Sequence, residues 1–448
     1  MANSSARDIT HNNGKTRIRT ANLLVGLFLA VISSAATLCQ PVLPAPATRT
    51  GASVLQSLLD KKQYLELDMA LRQGTIAQED AVFFRGVLAN RKNQVQQSIQ
   101  ILLPMARKLT HSAPSVRERD VLLTLADDYA KLFEYSKAEA EFAALLRRHG
   151  RSLNRKQRVN VSDRLKEMRV LRSAPLQTLE QSASFTLPVT HNQLGLLEIP
   201  VGINGQTESW VLDTGANTCV ITETTARRIG LPLLKGTATT RGVGGMPLSF
   251  HIGVVSEMKI GTAVLHNVEL DVTSDKNLNL AGIQLQGIIG FPVQAALGNI
   301  TFYANGKIGI NTEPPGPMDS ELFLENQTPL VAVHVEGSNL LFSLDTGAAV
   351  STFDVQFYNV VKAKLRGEKR SLFTFSGTGG RRSSPAYNMS NLRLSLGGEE
   401  TTLENASVFA GSTQASSGDF FGNLGQDALR SFTSYSVDFT RMKFTARK

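Results

Sequence analysis

"WVLDTGANTCVI" (residues 210–221) and "FSLDTGAAVSTF" (residues 342–353) place Asp-Thr-Gly-Ala directly after apolar, strand-forming residues twice in one chain. The aspartates are Asp213 and Asp345. A lone Asp-Thr-Gly is an ordinary turn, because Asp and Gly both tolerate turn geometry. The fold therefore depends on whether the surroundings repeat as well.

They do, and in order. "LLEIPVGINGQTESWVLDTGA" aligns with "PLVAVHVEGSNLLFSLDTGA". "TTRGVGG" (239–245) aligns with "TFSGTGG" (374–380). "GIIGFPVQAALGNITFYANGKIGI" (287–310) aligns with "GNLGQDALRSFTSYSVDFTRMKF" (422–444). Three landmarks in one order at nearly constant spacing imply duplication of a β domain of about 120 residues. Both copies consist of short alternating strands broken by Gly and Asn, an all-β texture. The expected lobes are 185–312 and 321–447, with "NTEPPGPMDS" (311–320) as the linker.

Ahead of the lobes, residues 52–173 carry apolar residues at three- and four-residue steps, the pattern of packed helices. Leu125, Ala126, Tyr129, Ala138 and Phe142 resemble a tetratricopeptide (TPR) helix pair, and Gly86, Ala89, Ser98 and Leu102 echo it. The offset from Ala89 to Tyr129 exceeds the usual repeat of about 34 residues, so a plain helical bundle is the competing reading. Either arrangement suits docking of a protein partner, and neither displays chemistry. Residues 1–47 read as a signal peptide or membrane anchor plus linker. Arg17 and Arg19 precede the apolar run 21–38, a candidate membrane tether, and a Pro/Ala-rich stretch follows. Export to the periplasm or outside the cell is the expectation.

The net charge of +9 is unevenly distributed: residues 51–175 carry +8 and residues 176–448 carry −3. That excess lies along helices as solvated faces rather than in one block, so no nucleic-acid partner is expected. The chain has two cysteines, Cys39 and Cys219; removal of the leader would leave Cys219 alone, a small hydrophobe in an apolar strand. The histidines are scattered, no cluster has zinc-ligand spacing, and no metal or other cofactor is implied.

If the two lobes pack about a pseudo-twofold axis, Asp213 and Asp345 become neighbours. Two adjacent carboxylates do not both ionise cheaply, so one keeps a proton while the other stays charged. Such a pair activates water with one group and protonates a carbonyl oxygen with the other. Gly215 and Gly347, lacking side chains, let the backbone approach the partner lobe and substrate. Thr214 and Thr346 supply hydroxyls to hold the two loops in register.

Asp-Thr-Gly-Ala after an apolar strand, a Gly-rich hairpin and then Gly-apolar-apolar-Gly before a short helix resembles the retropepsin-like aspartic proteases. The resemblance spans 185–447, twice over, and looks like a single-chain version of enzymes that otherwise dimerise. It implies a multidomain chain, an all-α TPR-like domain followed by two all-β acid-protease lobes, that hydrolyses peptide or protein substrates. It makes Asp213 and Asp345 the catalytic dyad. It makes Gly242, Val243, Gly244 and Gly245, and Gly377, Thr378, Gly379 and Gly380, the flap tips that close over a peptide. Ordinary hairpin turns are the alternative for both. Departures from the pattern are Pro292 against Asp427, Asn423 in an apolar position, and the basic Arg381 and Arg382 beside one flap; they suggest that one lobe has specialised. Ala216 and Ala348 stand where pepsins carry a hydroxyl that favours ionisation. Their dyad should titrate higher, with an activity optimum from mildly acidic to near-neutral pH. The rival functional reading is an inactive exported scaffold with a helical docking domain.

Overall fold

A turn with one residue of positive φ recurs between the N-terminal helices. In the computed structural model, which describes residues 51–448 apart from 75, 181–183, 243–246, 314–318, 379 and 412–419, it joins three helix pairs. These are α1 (Ala52–Asp60) with α2 (Tyr64–Gln73), α3 (Gln78–Arg91) with α4 (Val95–Leu109), and α5 (Val116–Lys131) with α6 (Tyr135–His149). Lys62, Asn93 and Phe133 adopt φ of 56°, 55° and 60°. The residue after each donates back into the preceding helix: Gln63 to Leu58 O, Gln94 to Ala89 O and Glu134 to Tyr129 O, at 2.8–2.9 Å. This left-handed step satisfies the last carbonyls of one helix and starts the next. α7 (Arg155–Leu171) follows, started by an Asn154–Gln157 capping box. Close approach within α3–α4 depends on Gly86, where a Cβ would lie 2.5 Å from Leu102. The expected signal or anchor at residues 1–47 lies outside the described residues.

In the β region each half builds the same crossing. The first aspartate strand, Gln206–Leu212, pairs antiparallel with Leu197–Ile203 and parallel with Gly287–Ile289. The latter pairs antiparallel with Val220–Thr222. In the second half Ser338–Leu344 pairs antiparallel with Thr328–Val335 and parallel with Gly422–Leu424, which pairs antiparallel with Thr352–Phe353. A parallel neighbour on one side and a buried apolar face below leave little freedom at the strand end, where the aspartate sits. Trp210 packs so tightly over Gly287 that a Cβ there would lie 2.5 Å from its ring.

Among the described residues, three strands of the first half join a 13-stranded sheet with the strands of the second, while the first aspartate strand lies in a separate 9-stranded sheet. Six strands of the larger sheet run in the order Ser320–Glu325, Lys443–Arg447, Ser434–Asp438, Asn299–Tyr303, Lys307–Ile310 and Phe185–Pro188. The central pairing, Ile300 opposite Val437, joins the corresponding C-terminal strands of both repeats. This pairing joins the two halves through backbone hydrogen bonds.

The helices pack on both halves. Their apolar core is continuous with Ala238, Phe250 and Ile252 of the first half and Phe323, Leu330 and Leu341 of the second. Polar contacts reinforce it: Tyr64, Lys62 and Arg91 converge on Glu325, and the Tyr135 hydroxyl donates to Glu269 at 3.0 Å. Burial alone would raise the Glu325 pKa, but Arg91 and Lys62 overcome it and hold the carboxyl at about 2. Glu269 responds oppositely: burial and the nearby Glu167 push it up to about 8. Among the described residues no helix is long and apolar enough to cross a membrane.

Candidate active site

Asp213 and Asp345 emerge at the ends of their parallel-paired strands, each with its backbone N–H bonded to the neighbouring strand. Asp213 N donates to Ile289 O at 3.1 Å and Asp345 N to Leu424 O at 2.9 Å. Beyond each aspartate the chain turns back, and Ala216 and Ala348 close the turns onto Asp213 O and Asp345 O at 3.2 Å. Buried glutamines brace these loops from below. Gln294 Nε2 reaches Asp213 O at 2.7 Å, and Gln426 Nε2 reaches Thr346 O at 2.8 Å.

The loops are then tied to each other. Thr214 N donates to Thr346 Oγ1 and Thr346 N to Thr214 Oγ1, both at 3.0 Å. Each hydroxyl donates onward across the axis, Thr214 to Leu344 O and Thr346 to Leu212 O, both at 2.7 Å. Both threonines are buried. Four reciprocal bonds in a site closed to water fix the separation of the loops far better than packing alone would.

This grip brings the carboxyl groups of Asp213 and Asp345 into hydrogen-bond contact. Gly215 and Gly347 lie between them. A Cβ at Gly215 would fall 2.7 Å from Asp345 Cγ, and one at Gly347 would collide with the Asp213 carboxyl. Glycine is required at both places by close approach alone, since any side chain would push the acids apart. Burial and the adjacent Asp345 charge push the Asp213 carboxyl well above the ordinary carboxylate range. Burial raises Asp345 as well, with hydrogen bonds from Asn423 and Asp213 opposing the rise. Two carboxyls this close titrate as a pair, and one shared proton costs less than ionising both.

The Gly-rich segments sit on hairpins. Ala238–Arg241 pairs with Pro247–Ile260, and Gly242 follows the first strand, while Val243, Gly244 and Gly245 lie outside the described residues. In the second half Arg370–Gly377 pairs with Gly380–Leu396, closing with Gly377 opposite Gly380 and Thr378 in the turn. Gly379 lies outside the described residues. Gly380 has φ of +132°, a conformation L side chains rarely adopt. A cavity of about 470 Å³ lies behind the first loop, between the helices and Thr218, Glu269 and Phe291, and does not contain the paired carboxyls.

The halves differ in detail behind the acids. In the second, Ser351 Oγ donates to Asp427 at 2.5 Å and accepts from Gly425 N at 3.0 Å. In the first, Cys219 takes the place of Ser351, and its Sγ accepts from Gly290 N at 3.4 Å. Burial pushes that thiol up to about 12, so it stays protonated and serves packing. In sequence Asn423 is a polar residue in an apolar position, one of the departures that suggest a specialised lobe. The structure places its amide against Asp345, with Nδ2 at 2.8 Å from Oδ2. Gln294 and Gln426 occupy non-equivalent positions in the two repeats, so the internal alignment carried no signal for them.

Residues 199–293 match the family model described as aspartyl protease. The stretch runs from the strand preceding the first aspartate strand, through the Asp213 loop and its hairpin, to the start of the short helix Phe291–Leu297. No curated protein matches the chain. This region is thus of aspartyl-protease type, and a protease acts on peptide or protein substrates.

Proposed function

We propose that the chain is an aspartic endopeptidase of the retropepsin-like kind, with both aspartate-bearing lobes supplied by one polypeptide and Asp213 and Asp345 as its dyad. The observation that carries this reading is the hydrogen-bonded pair of carboxyls at the tips of two cross-tied, duplicated loops. Further support is the aspartyl-protease match around the first loop.

A water between the carboxyls loses its proton to charged Asp345 as its oxygen attacks the scissile carbonyl carbon. Asp213 gives its proton to the carbonyl oxygen, forming a gem-diol. Collapse of the diol returns a hydroxyl proton to Asp213, and the proton on Asp345 goes to the departing amine as the C–N bond breaks. The buried cross-ties keep both groups in place through the cycle. The two Gly-rich hairpins serve as flaps over an extended peptide, held by main-chain hydrogen bonds. The helical hairpins act as a TPR-like docking module, and residues 1–47 direct export.

The test is digestion of a peptide library by the full chain across pH, with and without a statine-type transition-state inhibitor. Inhibitor-sensitive endopeptidase cleavage, strongest from mildly acidic to near-neutral pH, is expected. Intact peptides at every pH would favour the inactive scaffold. A maximum at about pH 2 would contradict the elevated titration of the pair.

A further inference from the structure

We propose that Asn423 is the positioning residue that assigns the negative charge to Asp345 and so makes Asp345 the base and Asp213 the acid. This rests on the dyad reading above. A duplicated site with symmetric loops has no intrinsic reason to prefer either aspartate. Each carboxyl accepts from two loop amides: Gly215 N, 2.8 Å from Asp213 Oδ1, and Gly347 N serve Asp213, while Gly347 N and Ala348 N serve Asp345. The side-chain asymmetry comes from the strands alongside. In the first half Val211 lies opposite Ile288 in the parallel register, and both are apolar. At the matching register of the second half Ser343 lies opposite Asn423.

Those two polar side chains form a directed relay. Ser343 Oγ donates to Asn423 Oδ1 at 2.6 Å, and Asn423 Nδ2 donates to Asp345 Oδ2 at 2.8 Å. The amide turns its NH2 toward Asp345, and the Ser343 hydroxyl, 3.1 Å from Gly422 O, lies nearer the amide oxygen and holds it on the far side. A donor aimed at one carboxylate oxygen favours the charged form of that group. Ile288 offers Asp213 nothing equivalent. The titratable group facing Asp345 is Asp213; Asp427, on the following helix, is occupied by Ser351 and Ala428 N. Asn423 thus supplies to one aspartate a side-chain donor, which Ala348 lacks. The same departure from the apolar pattern explains how one lobe became the charged partner.

The experiment is the pH profile of kcat and kcat/KM for the full chain on a peptide taken from the library digestion. Asn423→Ile gives the second half the apolar side chain of the first. The acid limb is expected to move up by about one pH unit, with KM at the optimum changed less than about twofold. Transplanting the relay, Val211→Ser with Ile288→Asn in the Asn423→Ile and Ser343→Val background, should move the limb back down. Ser343→Ala, which frees the amide oxygen, should give a smaller shift in the same direction and covers the case that Asn423→Ile does not fold. An acid limb unmoved in both Asn423→Ile and Ser343→Ala, with wild-type cleavage intact, would overturn the assignment but leave the dyad standing. Absence of wild-type cleavage would instead remove the dyad reading.

Discussion

Replacing Thr346 by Val keeps the side-chain shape and removes one hydroxyl from the cross-tie. The Thr214 amide then loses its acceptor at 3.0 Å, and the Leu212 carbonyl loses a donor at 2.7 Å, both in a buried site. Each buried group left unpaired costs about 1–3 kcal/mol, so a loss near the middle of the combined range, about 4 kcal/mol in total, is expected. Thr214→Val should cost nearly the same, because its two bonds match in length. The double variant should cost less than the sum, since parted loops admit water to all the orphaned groups. Thr346→Ser retains both bonds and should lose only about 1 kcal/mol, from the methyl group. Denaturant unfolding of the four variants gives these values. Cleavage assays should show kcat falling while KM holds, because the loops set the spacing of the acids rather than the affinity for peptide. If Thr346→Val is no less stable than Thr346→Ser, the threonine bonds do not hold the loops together and the reasoning fails.

Two other predictions concern the helix–lobe junction. Glu325→Gln strands Arg91 and Lys62 and should destabilise the protein by about 3 kcal/mol near pH 7. Since the native Glu325 pKa is depressed to about 2, its contribution is full above the ordinary Glu range and is lost as pH falls toward that value. Wild type and variant should therefore converge in acid; a constant gap would contradict the ion-pair origin. Glu269, raised to about 8, acts with the opposite sign: the native state keeps a proton that the unfolded chain releases, so stability declines as pH rises from about 4.5 to about 8. Glu269→Gln should flatten that decline in melting temperatures measured between pH 5 and pH 8.5.

The part of the site most legible in the sequence was the part that is duplicated. Asp213 and Asp345 stood out because their hairpins and Gly-apolar-apolar-Gly segments recur at a near-constant offset. What symmetry breaking built was hidden. Asn423 has Ile288 as its counterpart, so alignment marks it as a departure suggesting a specialised lobe without showing which group it donates to. Gln294 and Gln426 brace equivalent loops from non-equivalent positions. The shared sheet was also illegible, because its strands pair across more than a hundred residues and nothing local distinguishes Asn299–Tyr303 from a strand facing its own half. Among the helices, the turns at Asn93 and Phe133 gave a visible echo. The same turn at Lys62 joins shorter helices whose residues "DKKQYLELD" lack the small-residue pattern of the later pairs.

The most direct test of the dyad is peptide cleavage by Asp213→Asn and Asp345→Asn, each as a single change in the full chain. Each variant removes one ionisable partner from the shared site. Both should lose activity by about a thousandfold or more while the unfolding midpoint stays close to that of the wild type or rises, since a crowded pair of acids is relieved. Full activity in either single variant would contradict a site in which Asp213 and Asp345 act together.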